Sequence, residues 1–372
     1  MSWPVVKLHD ICRPKQWKTI AASNLLESGY PVYGANGKIG FYSEFTHESP
    51  TLMITCRGAT CGNVHISEPK SYINGNAMAL DDIDSSAVDL KYLYYFFLKR
   101  GFDDVISGSA QPQITGQGLT KVEIPLPPLA EQKRIATILN KADAIRRKRQ
   151  QAIQLADEFL RAVFLDMFGD PVTNPKGFPL GIIRDLVESA NYGSSAKASE
   201  AGGDYPILRM GNITYEGAID MTDLKYIDLT DKEKPKYLAV KGDLLFNRTN
   251  SKELVGKTAV YDRDDPVAIA GYLIRVRTNE KGNSHYISGY LNSAHGKATL
   301  QNMCKSIVGM ANINAQEMQD IPVTIPPVSL QNRYRDIFVS TKEKLAAHQA
   351  ALHANNELFN ALSQKAFSGQ LS

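Results

Sequence analysis

Two stretches of the chain carry the same apolar stripe. From Ile135, apolar side chains recur in steps of three and four at Ile138, Ala142, Ile145, Ala152, Ala156, Phe159 and Val163, closing on Met167, with Arg149 as the interruption. The second stretch keeps this frame through Tyr334, Ile337, Thr341, Ala351, Leu358 and Leu362, with His348 at the equivalent interruption. Each follows a proline pair, Pro127-Pro128 or Pro326-Pro327, and proline marks a helix boundary because it fixes φ and restricts the residue before it. The spacing predicts two helices of about 40 residues, each roughly 60 Å long. A stripe of about five heptads is longer than one helix resting on its own domain requires. The expectation is therefore an antiparallel coiled coil with a seam of Ile135, Ile138, Ala142, Ile145, Ala152, Phe159, Val163, Tyr334, Ile337, Leu358 and Leu362.

The stripes belong to a larger duplication. Residues 126–170 laid over 325–369, a shift of 199, match at ten positions without gaps, among them Gln132/Gln331 and Phe168/Phe367. Ordinary residue frequencies would give roughly three. Near the start of each half the shift is 175: Trp3-Pro4-Val5 answers Phe178-Pro179-Leu180, and Tyr30-Pro31-Val32 answers Tyr205-Pro206-Ile207. The second half thus carries 24 more residues in its middle. The expected class is α+β with a pseudo-two-fold internal repeat. Its order is a domain at 1–125, a helix at 126–169, a domain at 170–324 and a helix at 325–372.

Composition narrows the chemistry. A chain of 372 residues, 43% hydrophobic and 22% charged, fits a globular protein of two domains. Its net charge of only +3 excludes binding nucleic acid by bulk charge, so any such contact needs local patches. Cys12, Cys56, Cys61 and Cys304 lack zinc-ligand spacing and read as small apolar side chains in a reducing compartment. There is no signal-peptide core and no apolar run of membrane length, which makes the cytoplasm the expected location. The glycosylation patterns at Asn212 and Asn247 then carry no weight.

Candidate chemistry lies in polar loops. Reading a base edge requires forked or amide side chains on loops that can enter a groove, and holding register requires cations at phosphates. In the first half, the glycine-rich loop at 34–40 offers Asn36 and Lys38, followed by Tyr42. The loop at 57–63 offers Arg57 and Asn63, and the loop at 107–113 offers Gln111 and Gln113. In the second half the candidates are Arg209, Asn212, Asn247, Arg248, Asn250, Lys252, Lys257, Asn312 and Asn314. Met310–Asn314 occupies the place of Gln111–Thr115 under the 199 shift while differing in residue identity. The run Arg146-Arg-Lys-Arg149, near the middle of the first helix, reads as a solvated face or a partner contact.

No catalytic or metal constellation emerges. Gly256-Lys257-Thr258 lacks the leading glycine of a phosphate-binding loop, since Ser251 stands there, and a strand-like Ala-Val-Tyr follows. Glu131-Gln-Lys133 has half-nuclease spacing but no acidic partner on a preceding strand. Asn174-Pro-Lys-Gly177 lacks the proline pair and aromatic of an amino-methyltransferase loop. The seven histidines are scattered.

The segment Ile124-Pro-Leu-Pro-Pro-Leu-Ala-Glu-Gln-Lys-Arg-Ile135 resembles the opening of the helical repeats in specificity subunits of type I restriction-modification enzymes. Leu244-Leu-Phe-Asn-Arg-Thr-Asn-Ser-Lys-Glu-Leu-Val-Gly-Lys257 resembles their target-recognition domains, and Phe168-Gly-Asp-Pro171 and Phe367-Ser-Gly-Gln-Leu371 also match. The resemblance covers essentially the whole chain. It implies two α/β target-recognition domains, each reading half of a split site in double-stranded DNA. The two helices would set the unspecified gap and dock two methyltransferase subunits, with restriction (translocase) subunits joining. The chain itself would be non-catalytic and bind no cofactor. S-adenosylmethionine, ATP and Mg2+ would serve the other subunits of an adenine-N6 methyltransferase and endonuclease complex. Val328-Ser-Leu-Gln331 departs from Leu129-Ala-Glu-Gln132, which puts equal docking on the two helices in doubt. The competing expectation is a self-sufficient DNA modification or restriction enzyme whose catalytic centre carries no familiar motif.

Overall fold

A computed structural model describes residues 3–108, 111–307 and 310–371. The chain divides into two compact units, one of Met1–Gln151 with His348–Ser372 and one of Ala152–Ala347. Two helices of 40 residues, Leu129–Phe168 and Val328–Phe367, each contribute to both units.

The first unit is built on an antiparallel sheet ordered Arg13–Gln16, Ala77–Asp81, Leu52–Thr55, Val64–Ile66. The inner strands Leu52–Thr55 and Ala77–Asp81 are almost continuously buried, and side chains from both of their faces enter apolar clusters. A smaller sheet places Tyr30–Gly34 between Gly37–Tyr42, antiparallel, and Tyr72–Ile73, parallel. Helix Leu90–Arg100 starts where the Asp89 carboxylate accepts from the Lys91 and Tyr92 amides, and its apolar face enters the main core. Val5–Lys7 pairs with Glu123–Pro125 beside the start of the first long helix.

The second unit repeats this plan. Its main sheet runs Val187–Tyr192, Leu273–Thr278, Leu244–Asn247, Thr258–Val260, again antiparallel. Tyr205–Leu208 lies between antiparallel Lys225–Ile227 and parallel Val267–Ile269, and Leu180–Ile182 pairs with Pro322–Thr324. Helix Ser284–Asn292 is capped by Asn283. Most of the extra residues fall between Tyr205–Leu208 and Leu244–Asn247. They build the turn Lys234–Tyr237 and an additional strand, Leu238–Ala239.

The identities at shift 199 mark where each long helix is fastened. Gln132 is fully buried; its Oε1 accepts from the Asp89 amide (2.9 Å), and its Nε2 donates to Ala87 O (2.9 Å) and Pro127 O (2.8 Å). Gln331 makes the same bonds in the second unit, accepting from the Asn283 amide (2.9 Å) and donating to Lys281 O (2.9 Å) and Pro326 O (2.8 Å). At the far ends, Phe367 packs its ring 5.5 Å from both Tyr92 and Phe96, while Phe168 packs 4.7 Å from Tyr286.

Within each unit, the beginning of one long helix lies against the end of the other, so the two are antiparallel. In the first unit Arg146 sits 4.4 Å over the Phe359 ring, and the Arg134 guanidinium donates to Leu371 O. In the second, Tyr334 meets Phe164 at 5.4 Å and Phe168 at 5.6 Å, and Lys342 pairs with Asp157 at 3.0 Å.

The expected seam needs correction at three positions. Ile135 and Tyr334 are buried, and Ile138, Ala142, Ala152, Val163, Ile337 and Leu362 are partly so, but Ile145, Phe159 and Leu358 are 51%, 50% and 54% exposed. The packed positions are Leu160 and Phe359, one residue later, at 5% and 6% exposure. Two causes act together. A straight helix drifts by about 20° per heptad against a 3.5-residue repeat, and the polar stretch after Ile145 supplies nothing to hold phase. Each helix also faces its own unit as well as its twin: Ile135, Ala136 and Leu139 join the same core as Tyr92, Tyr95 and Phe96. Phe359→Ala should therefore cost about 3–5 kcal/mol in denaturant unfolding. Leu358→Ala should stay within about 0.5 kcal/mol, and the reverse ranking would restore the original seam.

Candidate nucleic-acid interface

Folding gathers the three polar loops of the first unit into one cluster. Thr55 at the end of its strand donates its hydroxyl to Ala35 O (2.6 Å), and Thr60 donates to the Asn36 carboxamide oxygen (2.9 Å). These bonds tie the 34–40 hairpin to the 57–63 loop. Arg57 forms a backbone bridge to Gln113, with the Gly58 amide on Pro112 O (3.1 Å), which adds the third loop. Asn36, Arg57, Asn63, Gln111 and Gln113 are exposed. Among the described residues, the side chains of Arg57, Asn63, Gln111 and Gln113 take no hydrogen-bond partner. Residues 109 and 110 of the third loop lie outside the described residues. Lys38 and Tyr42 are engaged locally, Lys38 with Glu68 (3.3 Å) and the Phe41 ring (4.7 Å), and Tyr42 edge-on to Tyr72 (5.7 Å).

The second unit forms the same cluster from different residues. Thr55 N bonds Asn63 O and Gly62 N bonds Thr55 O; Asn247 N bonds Lys257 O and Gly256 N bonds Asn247 O. Ile114 N bonds Cys56 O, and Ile313 N bonds Arg248 O. Backbone geometry thus equates Thr55 with Asn247, Cys56 with Arg248, Asn63 with Lys257 and Gln113 with Asn312. The bridge Arg57–Gln113 becomes the strand pair Thr249–Asn312.

Arg248 is fixed from two sides. Its guanidinium lies 4.8 Å over the Tyr192 ring, and its Nη2 donates to Asn312 Oδ1 (3.3 Å). Asn312 is held in turn by donating to Thr249 Oγ1 (2.9 Å), and the Tyr192 hydroxyl accepts from the Ala315 amide (2.9 Å). Among the described residues no carboxylate neutralises Arg248, and its Nε is buried without a partner. Such a guanidinium keeps most of its forked donors for an incoming acceptor. Asn250 is half-buried and accepts from the Ser251 amide, and Lys252 is exposed. Tyr192 belongs to no motif and lies far from Arg248 in sequence, so only the sheet order Val187–Tyr192, Leu273–Thr278, Leu244–Asn247 could reveal it.

Other expected readers make bonds within the fold, and some are buried by it. Asn212 is 3% exposed; it accepts from the Arg209 amide (2.8 Å) and donates to Asp220 O and Asp223 O (3.0 Å each), closing a loop. Asn247 is fully buried, and Asn314 caps the helix Ala315–Gln319 just as Thr115 caps Gly116–Thr120. Asparagine at a loop start is chosen for such bonds as often as for display. Arg209 pairs its Nη2 with the Asp223 carboxylate (2.8 Å), and its Nε, like that of Arg248, is buried without a partner among the described residues. Lys257 donates to Met210 O (2.9 Å), and burial holds its ammonium below the usual lysine range against the opposing field of Glu216. Among the described residues there is no group of three His, Cys, Asp or Glu able to hold a metal, and no helix long and apolar enough to cross a membrane.

Residues 1–155 and 175–352 match the type I restriction modification DNA specificity domain, and the chain belongs to that family. The EcoKI specificity subunit of Escherichia coli (strain K12) is 29% identical over 272 residues, 68% of this chain and 58% of that relative. The StySPI specificity subunit of Salmonella potsdam is 25% identical over 338 residues, 85% of this chain and 69% of its own length. The alignment thus leaves about two fifths of the EcoKI subunit unmatched. Among solved structures, a type I restriction-modification S subunit from M. genitalium superposes with a TM-score of 0.70 at 16% identity, covering 99% of this chain and 96% of that one, a likeness of fold.

Asn212→Ala should lower stability by about 1–3 kcal/mol in chemical denaturation, because it removes the acceptor of the Arg209 amide and the donor to Asp220 O, while Asp223 O keeps the Arg209 guanidinium. Nucleic-acid affinity should then fall only as far as the folded fraction does, and a specific loss in fully folded protein would return Asn212 to the interface.

Proposed function

We propose that this chain is the DNA-specificity subunit of a type I restriction-modification complex. Its segments 1–125 and 170–324 each read one half of a bipartite site in double-stranded DNA. The helical segments 126–169 and 325–372 fix the gap and dock methyltransferase subunits, two in number, with restriction (translocase) subunits joining for cleavage. The chain transfers no methyl group itself. S-adenosylmethionine, ATP and Mg2+ act through the other subunits, and the complex works in the cytoplasm on adenine-N6 methylation.

One observation carries this reading beyond family membership. The same loop cluster is built twice on the same backbone hydrogen bonds, while the side chains at equivalent positions differ: Arg57 against Thr249, Asn63 against Lys257, Gln113 against the shorter Asn312, and Arg248 where the first unit has the buried Cys56. A constant scaffold with exchanged polar side chains is what two readers of unlike base sequences require. The methyltransferase and restriction subunits, and the cofactors they use, are drawn from the resemblance of the repeats to those of specificity subunits.

The purified chain incubated with DNA and S-adenosylmethionine should transfer no methyl group, and adding the methyltransferase subunits should give methylation at one bipartite sequence. Methyl transfer by the chain alone would instead establish the self-sufficient enzyme. Arg248→Ala should weaken target binding by about 1–3 kcal/mol and relax selectivity at a single base position, as loss of a bidentate guanine contact does. Binding of the folded variant with unchanged affinity and base preference would remove Arg248 from the readers.

A further inference from the structure

We propose that Lys257 and Lys297 form a grip for the DNA phosphate backbone on the second globular domain, one the first domain lacks. The inference rests on the reading of this domain as a DNA binder and names a positioning site beside its reading loop.

Both lysines line a small cleft that opens where the 247–252 loop rejoins the sheet, with Tyr215, Glu253 and Gly256 also in its wall. Lys297 comes from the helix Ala294–Met303; its Nζ donates to Tyr215 O (2.9 Å) and lies 3.3 Å from the centre of the Tyr215 ring. Lys257 donates to Met210 O (2.9 Å). An ammonium has three donors, and the bonds made here use one on each lysine. Among the described residues neither forms an ion pair. Glu216 is near enough to favour both charged forms, Glu253 borders the cleft, and Arg161 adds positive field at Lys297. Two half-buried ammonium groups without a closed carboxylate contact bear a desolvation cost that an arriving anion relieves. A phosphodiester suits them, because lysine meets phosphate as a point charge without demanding a planar fork.

The floor of the cleft is tight. Gly256 has φ +79°, and a Cβ there would stand 2.7 Å from Leu300, so its backbone lies flat against the helix that carries Lys297. In the first unit Gly62 holds the equivalent place, but Asn63 replaces Lys257, and the residues facing Gly62 are Phe102 and Ile106. Among the described residues of the first unit, no helix corresponds to the one that delivers Lys297. Backbone attachment is therefore unequal between the two readers.

The test measures binding of the full chain to a target duplex and to a random duplex over a range of salt concentrations. The variants are Lys257→Met, Lys297→Met and Lys297→Arg. Each Met substitution should reduce the slope of log affinity against log salt by about 0.9, the contribution of one neutralised phosphate. Target and random duplexes should lose affinity by the same factor, with base preference unchanged. Lys297→Arg should keep the slope, and it carries the test if the Met variant is unfolded by thermal melting. Wild-type slope in both folded Met variants, a loss confined to the target duplex, or a reduced slope in folded Lys297→Arg would overturn the grip. A wild-type chain that binds no duplex would instead overturn the DNA-reading assignment, and the grip with it.

Discussion

The architecture depends on one buried side chain used twice. Gln132 and Gln331 are each fully buried, and each reaches two carbonyls and an amide of the neighbouring segments. A buried amide that lost any of these partners would pay the full desolvation cost, so the contact is nearly all-or-none. It fixes the start of a 40-residue helix against the cap of the shorter helix in its own unit. The phenylalanines at the opposite ends, Phe168 and Phe367, complete the fastening by aromatic packing. A long helix magnifies any error in direction, which explains why the polar clasp sits at its first turn.

A division of labour follows. The sheet order, parallel pairing and helix clasps are the same in both units, and those constraints admit little variation. The loops attached to the strand ends Thr55 and Asn247 share backbone bonds but differ in most side chains, Arg57 standing against Thr249 and Asn63 against Lys257. Hydrogen bonds through the main chain leave side chains free to differ, so one scaffold can display unlike polar sets without refolding. The family carries the specificity domain twice along this chain, at 1–155 and 175–352, in keeping with that separation.

Within the second unit, polar residues fall into three physical situations. Asn212 and Asn314 are consumed by the backbone around them, and Asn247 is fully buried, with its Oδ1 accepting from the Thr249 amide and its Nδ2 without a partner among the described residues. Arg209 is neutralised by Asp223. Arg248 is braced by Tyr192 and Asn312 yet uncompensated in charge, and Lys257 is bonded to a carbonyl only. The last two retain unspent donors, and unspent donors distinguish a recognition surface from a loop that merely closes itself.

The sequence determined a great deal because the repeat is a local signal. Proline pairs, the three-and-four spacing and ten identities at one shift announced two long helices and a duplicated plan, with Gln132 and Gln331 among the matched positions but their clasping role unmarked. The glycine-rich loops at 34–40 and 57–63 were visible for the same reason. Only tertiary structure decided which face of each helix is covered: Leu160 and Phe359 pack, while Phe159 and Leu358 face water. It alone joined Tyr192 to Arg248 and buried Asn212 and Asn247. Helix period and turn chemistry are properties of neighbours along the chain. Burial and the bracing of a charge depend on residues that folding brings together from far apart, and no local pattern encodes them.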